Sequence, residues 1–333
     1  MNKLTKVGLS ALCGSLASVS AAHAGAMDVT GSATATYTTV ENVVVGNPLG
    51  MATGLTFTGN GELDNGSTFT VSYALTNKAG YTGSAISVTT PSLGTFKYDE
   101  GGGTGLDRID DMMPTAWEEV DGTGVGMGLR TAAGGGASAD IEWTVGMGLP
   151  DGMAAYISVA PQADGSKNTN KAYSGVNSTT DGYAWDVVLT HNALYDGLNV
   201  FAGYSDISQN GGLGDRVEGV AGATYAIGGV TVGYQYSKIS QPAAADNYYE
   251  NDAYGISFAV NDDLTISYAG TKSTRNFNNN MSSIELEGES LQLSYSFGGA
   301  SIKIAEASVD NKNYLTTAAN QRDGRTIALT LAF

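Results

Sequence analysis

Acidic side chains gather in one long segment of this sequence. Residues 100–138 include Gly101-Gly102-Gly103 and then carry Asp107, Arg108, Asp110, Asp111, Glu118, Glu119, Asp121 and Arg130. Carboxylates at this density have two uses. The pairs Asp110/Asp111 and Glu118/Glu119 have the oxygen donors that Ca²⁺ takes, although their spacing matches no EF-hand. Alternatively they stay solvated, as fixed charge on an exposed loop. Other chemistry finds less support. Gly124-Val125-Gly126-Met127-Gly128 has the glycine density of a nucleotide loop, but no strand–turn–helix context follows. His191 is the only histidine after residue 24, and no cysteine follows Cys13, so a His-rich metal site within one chain is excluded. No Gly-x-Ser-x-Gly elbow is present. The residues point away from an enzyme and toward no required cofactor.

The elements that must carry these residues are strands. Alternation of period two dominates from Met27 onward. Phe69, Val71, Tyr73 and Leu75 alternate with Thr70, Ser72, Ala74 and Thr76. Ile141, Trp143 and Val145 alternate with Glu142 and Thr144, and Leu291, Leu293, Tyr295 and Phe297 alternate with Gln292, Ser294 and Ser296. The polar faces are rich in Thr, Ser, Gly and Gln, which suits water. Tyr37, Tyr98, Tyr204, Tyr236, Tyr254 and Tyr295 fall near strand ends, as an interfacial aromatic girdle would. Short connections (Asn65-Gly66, Asp196-Gly197, Gly228-Gly229, Gly298-Gly299) alternate with long ones, of which 100–138 is the longest. Strands are expected near 27–37, 52–62, 66–78, 82–90, 93–99, 139–149, 152–161, 182–191, 197–206, 215–227, 229–240, 250–260, 263–273, 285–297, 299–309 and 322–333. That is an even count of about sixteen, as a closed antiparallel transmembrane barrel requires. Gly124–Thr131 is read as loop, and Pro114–Val120 as one helical turn with Pro at its first position.

The two ends agree with export to such a barrel. Lys3 and Lys6 precede a short apolar segment, and Ala22-His23-Ala24 has the small-x-small form of a cleavage site. Residues 1–24 are therefore read as a signal peptide, which leaves 25–333 as a single barrel domain without thiols. Loss of the two lysines takes the formal charge of −17 to −19, which argues against nucleic acid. At the other end Ile327, Leu329, Leu331 and Phe333 share one face of a strand. In a closed barrel such a strand pairs with the first and turns its apolar face to lipid.

Four charged positions sit badly in this pattern. Glu285 and Glu287 share the parity of Leu291, so a bulge near Gly288 or Ser290 is expected to reset the register. Glu306 follows Ile302 and Ile304 in parity, and Arg325 follows Ile327. Both lie toward the loop end of their strands, where charge costs little.

Signal, alternating strands, alternating connections, the long acidic segment and terminal Phe333 together resemble the general porins of Gram-negative bacteria, the alphaproteobacterial type most of all. Thr68-Phe69-Thr70-Val71-Ser72-Tyr73-Ala74 looks like that family's third strand. Ser92-Leu93-Gly94-Thr95-Phe96-Lys97-Tyr98-Asp99 looks like the turn and fifth strand leading into its constriction loop. The resemblance spans 25–333 and lies more in the layout than in any one motif. It implies an all-β, sixteen-stranded, usually trimeric barrel in the outer membrane, with a water-filled pore narrowed by the third external loop, here 100–138. Lipopolysaccharide and the barrel-assembly machinery are its implied partners, with Phe333 as assembly signal. Loop acids would face wall groups across the eyelet; the inward candidates are Lys97, Arg216, Glu218 and Lys303. The wall departs from the usual pattern: the first four strands contain no Arg, and Lys78 is their only basic residue. Few wall cations against many loop acids imply a cation-preferring pore for small hydrophilic solutes. A sugar- or amino-acid-preferring channel and a surface adhesin-like β-protein are the alternatives.

Overall fold

The computed structural model describes residues 24–41, 43, 46–77, 80–100, 102–135, 139–163, 181–209, 214–241, 247–277 and 281–333. Most of the expected signal peptide, and Lys78, lie outside these residues. The described residues form sixteen strands: β1 Ala24–Val40, β2 Leu49–Glu62, β3 Thr68–Thr76, β4 Gly80–Thr90, β5 Gly94–Asp99, β6 Asp140–Val145, β7 Met153–Ala160, β8 Asp181–His191, β9 Leu198–Gln209, β10 Arg216–Ile227, β11 Val230–Gln241, β12 Asn247–Ala259, β13 Leu264–Asn276, β14 Ile284–Phe297, β15 Ala300–Asp310 and β16 Arg322–Ala332. Each pairs antiparallel with its sequence neighbours, and β16 pairs back to β1, closing the barrel. Closure leaves the sheet no free edge strand. No helix among the described residues is long and apolar enough to cross a membrane.

The alternation read from sequence becomes an inside and an outside. Val71, Tyr73, Ile256, Phe258, Ile266, Leu291, Ile327 and Leu329 are exposed on the outer surface. Their neighbours Ser237, Ser267, Ser273, Ser290 and Gln292 are buried on the inner one. Apolar side chains are thus left uncovered outside and polar ones enclosed, the reverse of a water-soluble globule. Short turns need left-handed glycine. Gly94 (φ +94°) also lies so close to Gly146 that a β-carbon would meet Thr144 O at 2.2 Å and Gly146 N at 2.5 Å. β6 ends at Val145, short of the predicted 149, and Gly146 N bonds on to Leu93 O at 3.1 Å.

Two expectations are corrected. There is no bulge at Gly288 or Ser290, because β14 keeps a continuous register with both β13 and β15. Glu285 and Glu287 therefore point outward, where Lys272 Nζ lies 2.7 Å and 3.6 Å from their carboxylates. An ion pair near the strand ends, rather than a register shift, makes the charges tolerable. Arg325 and Glu306 follow the same rule, as direct cross-strand partners joined by an ion pair. Second, Pro114–Val120 forms no helical turn. The 3₁₀ turns fall instead at Gly105–Ile109 and Val120–Gly122. The amides of residues 112 and 116–118 bond to the wall, which removes them from any local helix.

Most of the chain's buried apolar cluster lies inside the barrel. Leu106, Ile109, Met113, Val120, Val125, Met127 and Ala132 of the long loop pack on Val188, Phe201, Val220, Ile239, Leu286 and Val309 of the wall. The loop between β5 and β6 has folded into the bore. Gly124–Thr131 lies in it as irregular chain, not as a further strand.

Candidate functional site

The loop is fastened to the wall mainly through its backbone, by polar side chains carried at inward positions of the strands. At its start, Gly105 N donates to Glu142 Oε2 (2.8 Å) and Leu106 N to Asp186 Oδ2 (3.1 Å). Further on, Gln235 accepts from Met112 N (3.2 Å) and donates to Asp110 O (2.5 Å). Ser267 Oγ accepts from Ala116 N (2.7 Å). Gln292 accepts from Trp117 N (3.0 Å) and Glu118 N (3.1 Å) while donating to Glu118 O (2.7 Å). Thr326 Oγ1 donates to Thr123 O (3.1 Å), and the returning chain gives Gly134 N to Glu218 Oε2 (2.8 Å). The loop so lines the inner wall from β6 round to β16. Buried Gln, Ser and Glu are stable there because each finds loop backbone as its partner.

The predicted site residues divide into two groups. Asp107, Asp110, Asp111, Glu119 and Asp121 come together as one acidic surface. Asp107 accepts from Gly103 N (2.6 Å), Asp110 from Asp111 N (2.8 Å) and Asp111 from Met113 N (2.8 Å). Burial followed by the charges of the neighbouring carboxylates pushes Asp110 up to about 6 and Glu119 up to about 7. Asp111 and Asp121 are also raised, chiefly by burial. Glu118 stands apart. Burial raises it while Lys303 opposes the shift, and Lys303 Nζ lies 5.9 Å from the Trp117 ring centre.

The second group holds the loop. Arg108 pairs with Glu142 and stacks over Tyr156 at 4.0 Å. Arg216 lies between Asp181 (2.8 Å) and Glu218 (3.0 Å), with Glu218 buried behind the returning loop. Lys97 faces inward and pairs with Asp99 at 2.8 Å. Arg130 uses its backbone: its N–H donates to the Tyr314 hydroxyl (3.1 Å) and its carbonyl accepts from Asn251 (2.8 Å). Phe333 exchanges both backbone hydrogen bonds with Gly31, at 2.9 Å and 3.0 Å, far from the loop.

Sequence reasoning missed the anchors Glu142, Asp186, Gln235, Asn251, Ser267 and Gln292. The available signal was their parity, since each is a polar residue on the inward face of its strand. Among the described residues, no three His, Cys, Asp or Glu side chains converge as a metal site.

Comparison with known proteins points one way. The family model described as Gram-negative porin matches residues 8–329. No curated protein matches the chain. Among solved structures, the chain is similar to Salmonella typhi OmpF (14% identity, 92% of this chain and 97% of that one, TM-score 0.70). It is also similar to Vibrio cholerae OmpT in a trimer form (13%, 93% and 100%, 0.68) and to an anion-selective porin from Comamonas acidovorans (16%, 92% and 99%, 0.66). At these identities the likeness is one of fold.

Proposed function

The chain belongs to the Gram-negative porin family, whose members are outer-membrane channels for passive diffusion, and on that premise we propose that its pore prefers cations. The carrying observation is the imbalance of charge around the bore. Five carboxylates (Asp107, Asp110, Asp111, Glu119 and Asp121) share one face of the constriction loop. The inward cations Lys97, Arg108 and Arg216 are already engaged with Asp99, Glu142, Asp181 and Glu218, and Lys303 lies beside Trp117 and Glu118. The wall the loop leaves uncovered is lined by hydroxyls such as Thr34, Thr36, Ser72 and Ser87, and β1–β4 carry no Lys or Arg. A solute thus passes between neutral hydroxyls and a negative loop. That field concentrates cations and repels anions. The likeness to an anion-selective porin does not weigh against this reading, because a shared barrel fixes the scaffold and not the charge of the eyelet.

The narrowed bore suits small hydrophilic solutes, and diffusion through it needs neither catalysis nor a cofactor. A homotrimer embedded among outer-membrane lipids and lipopolysaccharide fits the exposed apolar belt. So does export through the periplasm after loss of residues 1–24, with Phe333 presented to the barrel-assembly machinery. The reversal potential of the reconstituted channel in a salt gradient tests the cation preference.

A further inference from the structure

The segment between β15 and β16 also enters the barrel, and its backbone is strained. Asn311 (φ +56°), Asn313 (φ +55°) and Tyr314 (φ +58°) are the non-glycine residues with left-handed φ among the described residues, and they fall within four positions. Asparagine tolerates this conformation, but a ring-bearing residue there is an outlier. Such strain persists only where the surroundings over-determine it.

The surroundings are specific. Tyr314 is buried, with its ring edge-on to Tyr249 at 5.1 Å. Its hydroxyl shares a hydrogen bond with Ser273 Oγ (2.6 Å) and accepts from Arg130 N (3.1 Å). Ser273 donates onward to Asn251 Oδ1 (2.5 Å), and Asn251 donates to Arg130 O (2.8 Å) and Ser237 Oγ (3.0 Å). Both backbone groups of Arg130 are therefore satisfied, one by Tyr314 and the other by the wall.

Next to this ring of bonds, Asn313 N donates to Met127 O (3.0 Å), and Asn311 Nδ2 donates to Glu285 O (2.8 Å). The Asn313 side chain fills the space over Gly128, where a β-carbon would meet its oxygen at 1.8 Å. The Gly124–Gly128 run, which no nucleotide explains, acquires a role here. Val125 and Met127 are buried against the wall, while left-handed Gly126 and Gly128 beside them leave room for Lys312 and Asn313 of the incoming segment.

We infer that residues 311–315 are a latch and that Tyr314 is a positioning residue, holding constriction-loop residues 124–130 against β11–β14 and so helping to fix the open cross-section of the pore. The consequence for conductance rests on the channel reading; the latch itself does not.

Tyr314→Phe keeps the ring and removes the hydroxyl, and Ser273→Ala removes the other half of that bond. Each variant is compared with the unaltered full barrel, checked for intact folding by its heat-dependent gel mobility. In planar bilayers both variants are expected to show more frequent partial closures. In detergent, trypsin is expected to cut after Arg130 about five- to tenfold faster, as loss of one buried hydrogen bond implies. Unchanged closures and unchanged cutting in folded variants would overturn the latch. If the unaltered protein does not conduct, the channel reading fails, and the rate of cutting after Arg130 still decides the latch. Should Tyr314→Phe not fold, Ser273→Ala carries both measurements.

Discussion

Phe333 lies across Gly31, its aromatic ring covering the glycine while the two backbones exchange hydrogen bonds at 2.9 Å and 3.0 Å. A β-carbon at Gly31 would meet the ring at 2.6 Å. The same device recurs at Gly61 under Phe69 and Gly270 under Tyr254. An aromatic ring over a cross-strand glycine pins the register that closure depends on. Gly31→Val is therefore expected to lower the yield of heat-modifiable folded barrel. Deletion of Phe333 is expected to reduce membrane insertion, yet leave the conductance of assembled channels unchanged. Normal insertion of the deletion would count against the assembly role.

Gln292 makes three hydrogen bonds to the loop from a single buried amide. Gln292→Ala strands two N–H groups and a carbonyl against the wall. Unsatisfied groups of this kind cost about 1–3 kcal/mol. The β-ladder is untouched, so the barrel is expected to stay closed while the loop loosens. Thermal unfolding and open-channel current noise read the two effects separately; a variant as quiet and as stable as the parent would contradict this.

The loop carboxylates make selectivity depend on pH. Glu119 is pushed up to about 7 and Asp110 up to about 6, so both gain protons well above the ordinary carboxylate range. Their negative charge is present at alkaline pH and is lost as pH falls through these values. The cation-to-anion permeability ratio is expected to decline between about pH 8 and about pH 5. Because these groups bind protons more readily in the folded loop, their contribution to stability is full below about pH 4 and is lost as pH rises through about 6 and about 7. A ratio that is flat with pH would show that these groups do not face the conducting path.

Neutralising them should act in the same direction. Asp110→Asn and Glu119→Gln are each expected to reduce the permeability ratio by roughly twofold at about pH 8, with single-channel conductance little altered. Arg216→Met should behave differently. It leaves Asp181 and Glu218 without their shared cation behind the returning loop. That destabilises the loop's attachment rather than retuning the field, and protease sensitivity within 131–135 is the measurement that shows it.

Removal of divalent ions by a chelator is expected to leave conductance, selectivity and unfolding temperature of the detergent-solubilised barrel unchanged. A fall in unfolding temperature that Ca²⁺ restores would revive a metal role for the acidic pairs.

Much of the wall was legible in the sequence, because a strand with one face to lipid and one to water writes its register as strict alternation. Phe69 to Thr76 and Leu291 to Phe297 needed no tertiary information. The path of the long loop was not legible. Its amides are claimed by Gln235, Ser267 and Gln292, which lie more than a hundred positions away in the chain. Local propensity around Pro114 suggested a helical turn that these distant partners abolish. The bulge expected near Gly288 failed for a related reason. Parity alone disqualified Glu285 and Glu287 from an outer face, and it could not show Lys272 waiting on the adjacent strand. At the site, the acidic surface was visible as composition, whereas the engagement of Arg216 and Lys97 by wall carboxylates required the closed barrel.

Five carboxylates on an inward-folded loop, facing a wall of hydroxyls, are proposed to make the pore of this porin cation-preferring. The most direct measurement is the zero-current potential of the purified full-length barrel in a planar bilayer under a potassium chloride gradient at about pH 8, where the loop acids are ionised. A cation-preferring pore displaces this potential toward that of potassium. A displacement toward chloride would contradict it.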